Sequence, residues 1–289
     1  MGIKLLNSLI KNCCKESNEL ISLFKLKNKV ITVDISIYIY RFKSDGKLME
    51  NMYMLCSIFR FYNIKPLFIF DGVPPRLKEE ELKDRKKQKI YAKNQFEKIS
   101  QTIVLNRKTI KKMNRLRRIF TSVTKKDIEN VKKLLNYFGL CYITAEGEAD
   151  ELCAKFVITN RAYACLSEDT DLFVYGCPRV LRYLSLRNHT TVIYHMDQIL
   201  KNLNLNMENF RKMCVISGTD YNKNNYNIYY YYDIYKRGGT IQMTKEEEKI
   251  YEIFKLNNQE IFKDLLIENS PINKSEICNF MSKYNFVLI

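Results

Sequence analysis

The sequence predicts an α/β fold: a mostly parallel central sheet flanked by helices, with a basic helical arch and a C-terminal helical region. Three observations lead there. Continuous apolar runs at 29–34 and 65–71 each end on a carboxylate, Asp34 and Asp71, as strands covered on both faces do. Leu, Met and Phe recur at helical spacing over 48–62 between them, which makes the first seventy residues a β-α-β unit. From residue 76 to 118 that alternation stops, and 16 basic residues face only five acidic ones, a local charge of +11.

Further strands are expected at 140–144, 162–167, 180–184 and 191–194. A helix over 125–138 has Thr124 at its start, Asp127 three residues on as a capping box, and Gly139 at its end. Helices also fit 148–159 and 207–217. The organisation that follows is an N-terminal region at 1–75, an arch or clamp at 76–123, an internal region at 124–221 sharing one domain with 1–75, and a tail at 222–289.

The whole chain of 289 residues carries 48 Lys and Arg against 32 Asp and Glu, a formal +16. Its composition, 46% hydrophobic with nine Gly and five Pro, is that of a folded enzyme and excludes collagenous and disordered classes. No apolar window approaches the ~18 residues of a membrane span. Nine cysteines without a C-x-x-C pair, beside only two histidines, fit a reducing intracellular compartment and argue against zinc.

The arch is expected to be helical and to project, because its apolar residues are too sparse to bury a face. An unopposed +11 repels itself unless a polyanion neutralises it, and nucleic acid is the natural partner. Against this background the acids stand out. They cluster at Glu146-Gly-Glu148-Ala-Asp150, Glu168-Asp169-Thr-Asp171 and Asp220, beside the strand-end Asp34 and Asp71.

Taken singly, each cluster has a structural explanation as a helix-start or turn acid. Together, at the carboxyl ends of strands in an open sheet, they would gather negative charge in one crevice. Such a crevice is costly unless cations fill it, and ligands that are all oxygen point to Mg²⁺ or Mn²⁺. Asp169 and Asp171 would share a side if the run were extended. Glu146 must lie in the loop before its helix for both it and Glu148 to reach a metal, and Asp150 is the alternative. Two such ions suit phosphodiester hydrolysis.

In this order the motifs resemble the flap endonuclease or XPG-type 5′ nuclease family. The residues that carry the resemblance are Gly2-Ile3, Val33-Asp34-Ile35-Ser36 with Tyr40, Asp71-Gly72-Val73-Pro74-Pro75, Glu146-x-Glu148-Ala149, Glu168-Asp169-x-Asp171 and Gly218-Thr219-Asp220-Tyr221. The resemblance runs from Gly2 to about Tyr221 and implies a PIN-like 5′ nuclease fold. It implies that Asp34, Asp71, Glu146, Glu148, Asp169, Asp171 and Asp220 hold two Mg²⁺ ions, for which Mn²⁺ can substitute.

It further implies that Lys78 and Arg85, seven residues apart and so on one helical face, contact the scissile phosphate. Tyr40 is implied to stack the base beside the cut, with a core position in its Ile-Tyr-Ile-Tyr run as the alternative. Gly2, Lys83, Lys86, Lys87, Lys236 and Arg237 are the remaining candidate DNA contacts. The implied activity is cleavage of DNA carrying a 5′ flap or a single-strand/duplex junction, in replication or repair, by a monomer in the nucleus or a cytoplasmic viral factory. The alternatives are a processive 5′ exonuclease, a bubble- or junction-cutting relative, and an inactive nucleic-acid-binding protein.

Two features depart from the family. Asn227 and Tyr229 stand where a helix-hairpin-helix module has glycines, which weakens the expectation of duplex anchoring and of a K⁺ site. The end of the chain, Asn285-Phe-Val-Leu-Ile289, lacks the family's sliding-clamp motif.

Overall fold

The computed structural model describes residues 2–101, 106–224, 226–256, 262 and 264–286. Seven strands form one mixed sheet: β1 (Asn18–Ser22), β2 (Val30–Asp34), β3 (Lys65–Phe70), β4 (Cys141–Thr144), β5 (Ala164–Leu166), β6 (Arg179–Ser185) and β7 (Thr190–His195). Their order across the sheet is β1-β7-β6-β5-β2-β3-β4. The five strands from β4 to β6 run parallel, while β7 is antiparallel to both β6 and β1.

Alternate side chains of the inner strands enter opposite cores, the period-2 rule of a pleated sheet. Leu67 and Ile69 of β3 face a core built with helices Leu6–Cys13, Ala149–Ile158 and Met207–Ile216. Phe68 and Phe70 face the other, packed by Ile35–Ser44, Leu48–Phe61, Lys125–Tyr137 and Lys274–Ser282. Both faces are covered, which is why β2 and β3 read as uninterrupted apolar runs.

Segments 1–75 and 124–221 therefore interleave in a single sheet. Two helices, Ile35–Ser44 and Leu48–Phe61, connect β2 to β3 where the sequence suggested one. Strand β1 also escaped notice, because its burial follows no clean alternation and Leu20 is exposed.

The basic segment forms a helical hairpin of Glu79–Ser100 and Arg107–Phe120. The first helix buries only Ala92 and the second buries nothing. An edge-on contact of Phe96 with Phe120, 5.2 Å between centroids, and the Arg117 guanidinium over Phe96 hold the pair together. Glu79, Glu80 and Glu81, three of the hairpin's five acids, occupy the first turn, where they offset the helix dipole.

The C-terminal tail returns to the sheet domain. Ser270 N–H donates to the Gly139 carbonyl and Asn273 N–H to that of Tyr137, both at 2.8 Å. Gly139 has φ +63°, and a Cβ there would lie 2.3 Å from the Ser270 carbonyl oxygen, so only glycine fits this helix end. Asn227, predicted at a turn that calls for glycine, instead caps helix Ile228–Lys236 by accepting from Tyr229 and Tyr230 N–H, with φ −90°. Tyr229 is helical, and its hydroxyl lies 3.0 Å from both Ser8 Oγ and Asn12 Nδ2. Residues 287–289, the last of the segment compared with a clamp motif, lie outside the described residues.

At the start of helix Lys125–Tyr137, Thr124 Oγ1 accepts from Asp127 N–H at 3.2 Å and Asp127 Oδ2 accepts from Thr124 N–H at 2.7 Å. Thr124→Ala should therefore destabilise the fold by about 1 kcal/mol, lowering the melting temperature by roughly 2–4 °C. Thermal unfolding followed by circular dichroism checks this, with Thr124→Ser expected to restore most of the loss.

Candidate active site

Strands β2 and β5 lie side by side, but the chain leaves β2 toward β3 on one side and reaches β5 only after β4 at the far edge. This is the switch point at which an open α/β sheet opens a crevice beyond its strand ends. A cavity of about 550 Å³ lies there, with Asp34, Asp71, Glu148, Asp150, Asp169 and Asp220 in its wall. Above them stand Lys78, Arg85, Lys89 and Arg118 of the arch segment.

Each acid is fixed by a local device. Asp34 ends β2 and accepts from Ser167 Oγ at 2.8 Å, a bond across the switch point. Asp71 Oδ1 accepts from Ala149 N–H at 2.9 Å, at the positive end of helix Ala149–Ile158. Gly72 and Val73 donate to the carbonyls of Gly147 and Glu146 at 2.7 and 3.0 Å, zipping the β3 exit to the β4 exit. A Cβ on Gly72 would fall 2.0 Å from the Ala145 carbonyl oxygen, so this zip requires glycine.

That zip decides which acids reach the crevice. Glu146 commits its carbonyl to Val73 and leaves its side chain exposed, outside the cavity wall. Asp150, in the first helical turn, is buried and lines the cavity instead. The expected extended run after β5 is also corrected. Asp171 N–H donates to Asp169 Oδ1 at 3.1 Å, and Asp171 begins helix Asp171–Tyr175. The chain turns because the Asp169 carboxylate offers its backbone a nearer partner than a neighbouring strand does.

Gly2 packs against this turn. With φ +80°, a Cβ there would stand 2.3 Å from Thr170 Oγ1, 2.5 Å from Asp169 Oδ1 and 2.7 Å from Asp171 Oδ1. Its position is beside the acids, where a side chain would displace them.

Lys78 is buried, its Nζ 2.6 Å from Glu148 Oε2, 3.8 Å from Asp220 Oδ2 and 4.7 Å from the centre of the Tyr221 ring. Arg85 donates from Nη2 to Asp220 Oδ2 at 2.8 Å and pairs with Glu81 through Nε. Tyr221 Oη donates to Glu148 Oε2 at 2.9 Å. Tyr40 lines the cavity and is 43% exposed, whereas Tyr38 is the core member of its run at 1%. Lys89 Nζ sits 5.5 Å from the Tyr40 ring centre.

Lys83, Lys86 and Lys87 are exposed on the arch outside this cavity. Lys236 lies over Tyr232 and Arg237 pairs with Asp233 at 2.7 Å, both away from the crevice. Lys89, Gln88 and Arg118 in the wall were not singled out from the sequence. Lys89, four residues from Arg85, was legible by helical spacing. Arg118, brought in by the return helix, carried no such signal.

Burial and mutual repulsion govern the electrostatics. Desolvation first, then Asp71 and Asp169, push Asp34 up to about 7. Burial, then Asp169 and neighbouring carboxylates, hold Asp150 and Asp171 well above the usual carboxylate range. Desolvation likewise raises Asp169. Lys78 is raised despite its burial, because Glu148 above all favours its ammonium.

Among the described residues no three acids already stand together as a finished metal cage. Two of the carboxylates, Glu148 and Asp220, are engaged by Lys78 and Arg85. The donor set nevertheless fits a hard divalent cation: every acidic ligand is oxygen, and Asp171 Oδ1 is buried without a hydrogen-bond partner.

A buried carboxylate cluster at a sheet switch point, roofed by a cationic helical hairpin, defines a nuclease, since phosphodiesters need both a place for cations and a positively charged approach. Comparison with known proteins gives the particular family. Residues 1–92 match the XPG N-terminal domain and residues 139–220 the XPG I-region. Flap endonuclease 1 of Methanococcus aeolicus is 28% identical over 309 aligned positions, covering 93% of this chain and 92% of the relative. Flap endonuclease 1 of Homo sapiens is 31% identical over 242, covering 76% of this chain and 62% of its own length. The chain thus spans nearly all of the archaeal relative and about three fifths of the human one.

The fold matches the catalytic core of Rad2 in complex with DNA substrate, with TM-score 0.70 at 20% identity, covering 96% of this chain and 95% of that one. It also matches flap endonuclease-1 from Methanococcus jannaschii, with TM-score 0.67 at 22% identity and coverage of 92% and 90%. The chain belongs to the XPG-type family of flap endonucleases, structure-specific DNA-cleaving hydrolases that depend on metal.

Because Asp171 is buried among like charges, Asp171→Asn should raise the melting temperature of the chelator-treated protein by a few degrees, roughly what 1 kcal/mol or more gives in a chain of this size. Calorimetry in chelator checks this, and an unchanged or lowered value refutes the repulsion.

Proposed function

We propose that the protein is a Mg²⁺-dependent 5′ flap endonuclease that cuts DNA near a single-strand/duplex junction during replication or repair. The observation that carries this reading is the seating of Lys78 and Arg85 directly over Glu148 and Asp220, which puts two arch cations at the mouth of the acidic crevice.

Asp34, Asp71, Glu148, Asp150, Asp169, Asp171 and Asp220 are the residues that would hold the ions, with Asp150 replacing Glu146 in the set read from the sequence. Two Mg²⁺ ions held there would supply an activated water and stabilise the leaving oxygen. The chain's own residues do the rest. Lys78 and Arg85 aim positive charge at the phosphoryl group as its negative charge grows. Tyr40, exposed at the wall, offers a ring on which a base beside the cut can stack whatever its identity. The remaining arch cations hold backbone phosphates, giving affinity that falls with salt and little sequence preference.

Free thiols at all nine cysteines support a reducing intracellular compartment. Exonuclease and bubble-cutting activity are the readings to separate from flap cleavage. A panel of labelled double-flap, nicked, bubble and blunt DNAs, with Mg²⁺ and with chelator, does so: preferred cutting at the flap junction is expected, and equal stepwise degradation of every substrate would overturn it.

Asp169→Asn keeps an acceptor for Asp171 N–H, so the fold should survive while cleavage drops by at least about 10³-fold with DNA affinity largely retained. Gel-shift and single-turnover assays read the two effects separately. Lys78→Ala with Arg85→Ala should slow the single-turnover rate by roughly 10²–10³-fold, and an unchanged rate would remove both from the chemistry.

A further inference from the structure

Glu168 precedes the two crevice aspartates and does not line the cavity. It points the other way, into a cluster that ties three separate parts of the chain together. The guanidinium of Arg182 on β6 is buried at 5% exposure. Its Nη2 donates to the Glu168 carbonyl at 2.9 Å and its Nη1 to Asn7 Oδ1 at 2.8 Å, while Nε stands 3.7 Å from Glu168 Oε2. Its plane lies over Tyr183, Phe173 and Tyr194, with centroids 5.1 to 5.9 Å away.

Tyr183 completes the cluster. It sits where the β6–β7 register shifts and holds φ +57°, an uncommon conformation for a bulky residue. Its N–H, turned away from the ladder, donates to Glu168 Oε1 at 2.7 Å, and its hydroxyl donates to Asn7 Oδ1 at 3.1 Å. Backbone held in so sparsely populated a region persists only where its surroundings enforce it, and here the enforcing group is the Glu168 carboxylate.

We infer that Arg182, Glu168, Tyr183 and Asn7 form a clasp that positions Asp169 and Asp171 to bind divalent cation. One arm holds the loop carrying the two aspartates by the backbone and side chain of Glu168. The other arm, through Asn7, holds helix Leu6–Cys13, at whose head Gly2 packs against the same aspartates. Arg182 thus fixes both walls of the carboxylate turn without reaching the crevice. A planar guanidinium is suited to this, since it presents several donors in fixed directions while packed between aromatic rings. Groups that orient ligands from behind set metal affinity as well as rate. These are positioning residues, and their role rests on the proposed metal site.

The test is a titration of the chelator-stripped, full-length protein with Mn²⁺ alone, free Mn²⁺ being counted by electron paramagnetic resonance. It is paired with single-turnover cleavage, DNA affinity and thermal unfolding. Glu168→Gln keeps an acceptor for Tyr183 N–H but loses its charge toward Arg182. It should weaken Mn²⁺ binding and slow the single-turnover step about 10-fold, with DNA affinity and melting temperature nearly unchanged. Arg182→Lys, which cannot bridge both arms, should do the same or more. Asn7→Ala, at an exposed position, should give a smaller loss of the same kind. Wild-type Mn²⁺ affinity in both Glu168→Gln and Arg182→Lys would overturn the clasp. Failure of the unmodified protein to bind Mn²⁺ at all would instead overturn the metal site beneath it.

Discussion

Like charge buried at one point of the sheet is the constraint around which this molecule is arranged. Six carboxylates share the wall of one crevice, with Asp171 buried directly behind Asp169. The backbone tolerates this only because each acid is individually tethered: Asp34 by Ser167, Asp71 by a helix start, Asp169 by the turn it caps. None of these bonds neutralises the charge. That task falls to cations, and the Lys78 ammonium and Arg85 guanidinium stand against Glu148 and Asp220.

The basic arch is the counterpart of that constraint. Its helices bury almost nothing, so packing alone gives them little reason to sit where they do. Arg85 and Lys78 supply one, since they dock the arch root onto the crevice through ion pairs partly shielded from solvent. The same pairs are directed at the place where a phosphate would arrive.

Relation to the family is clearest where function concentrates. The two matched regions, 1–92 and 139–220, contain every crevice acid, and the hairpin's second helix falls between them. Beyond residue 220 a tyrosine-rich helix capped by Asn227 docks onto helix Leu6–Cys13 through Tyr229.

The sequence by itself determined the parallel sheet, the helical character of the arch and the chemistry of the crevice. These depend on apolar period, on charge sign and on residue type at strand ends, all of which are local. It announced Asp34, Asp71, Asp169 and Asp220 because each ends or closely follows an element whose limits are written nearby. Tertiary structure decided what local pattern could not: Glu146 is exposed outside the crevice wall while Asp150 is buried in it. It likewise brought Arg118 to the wall through the return helix of the arch, added β1 as an edge strand, and set Arg182 behind the aspartates by pairing β6 with β5. In each case the partner that fixes the side chain is distant in the chain, so its influence exists only once the fold has closed.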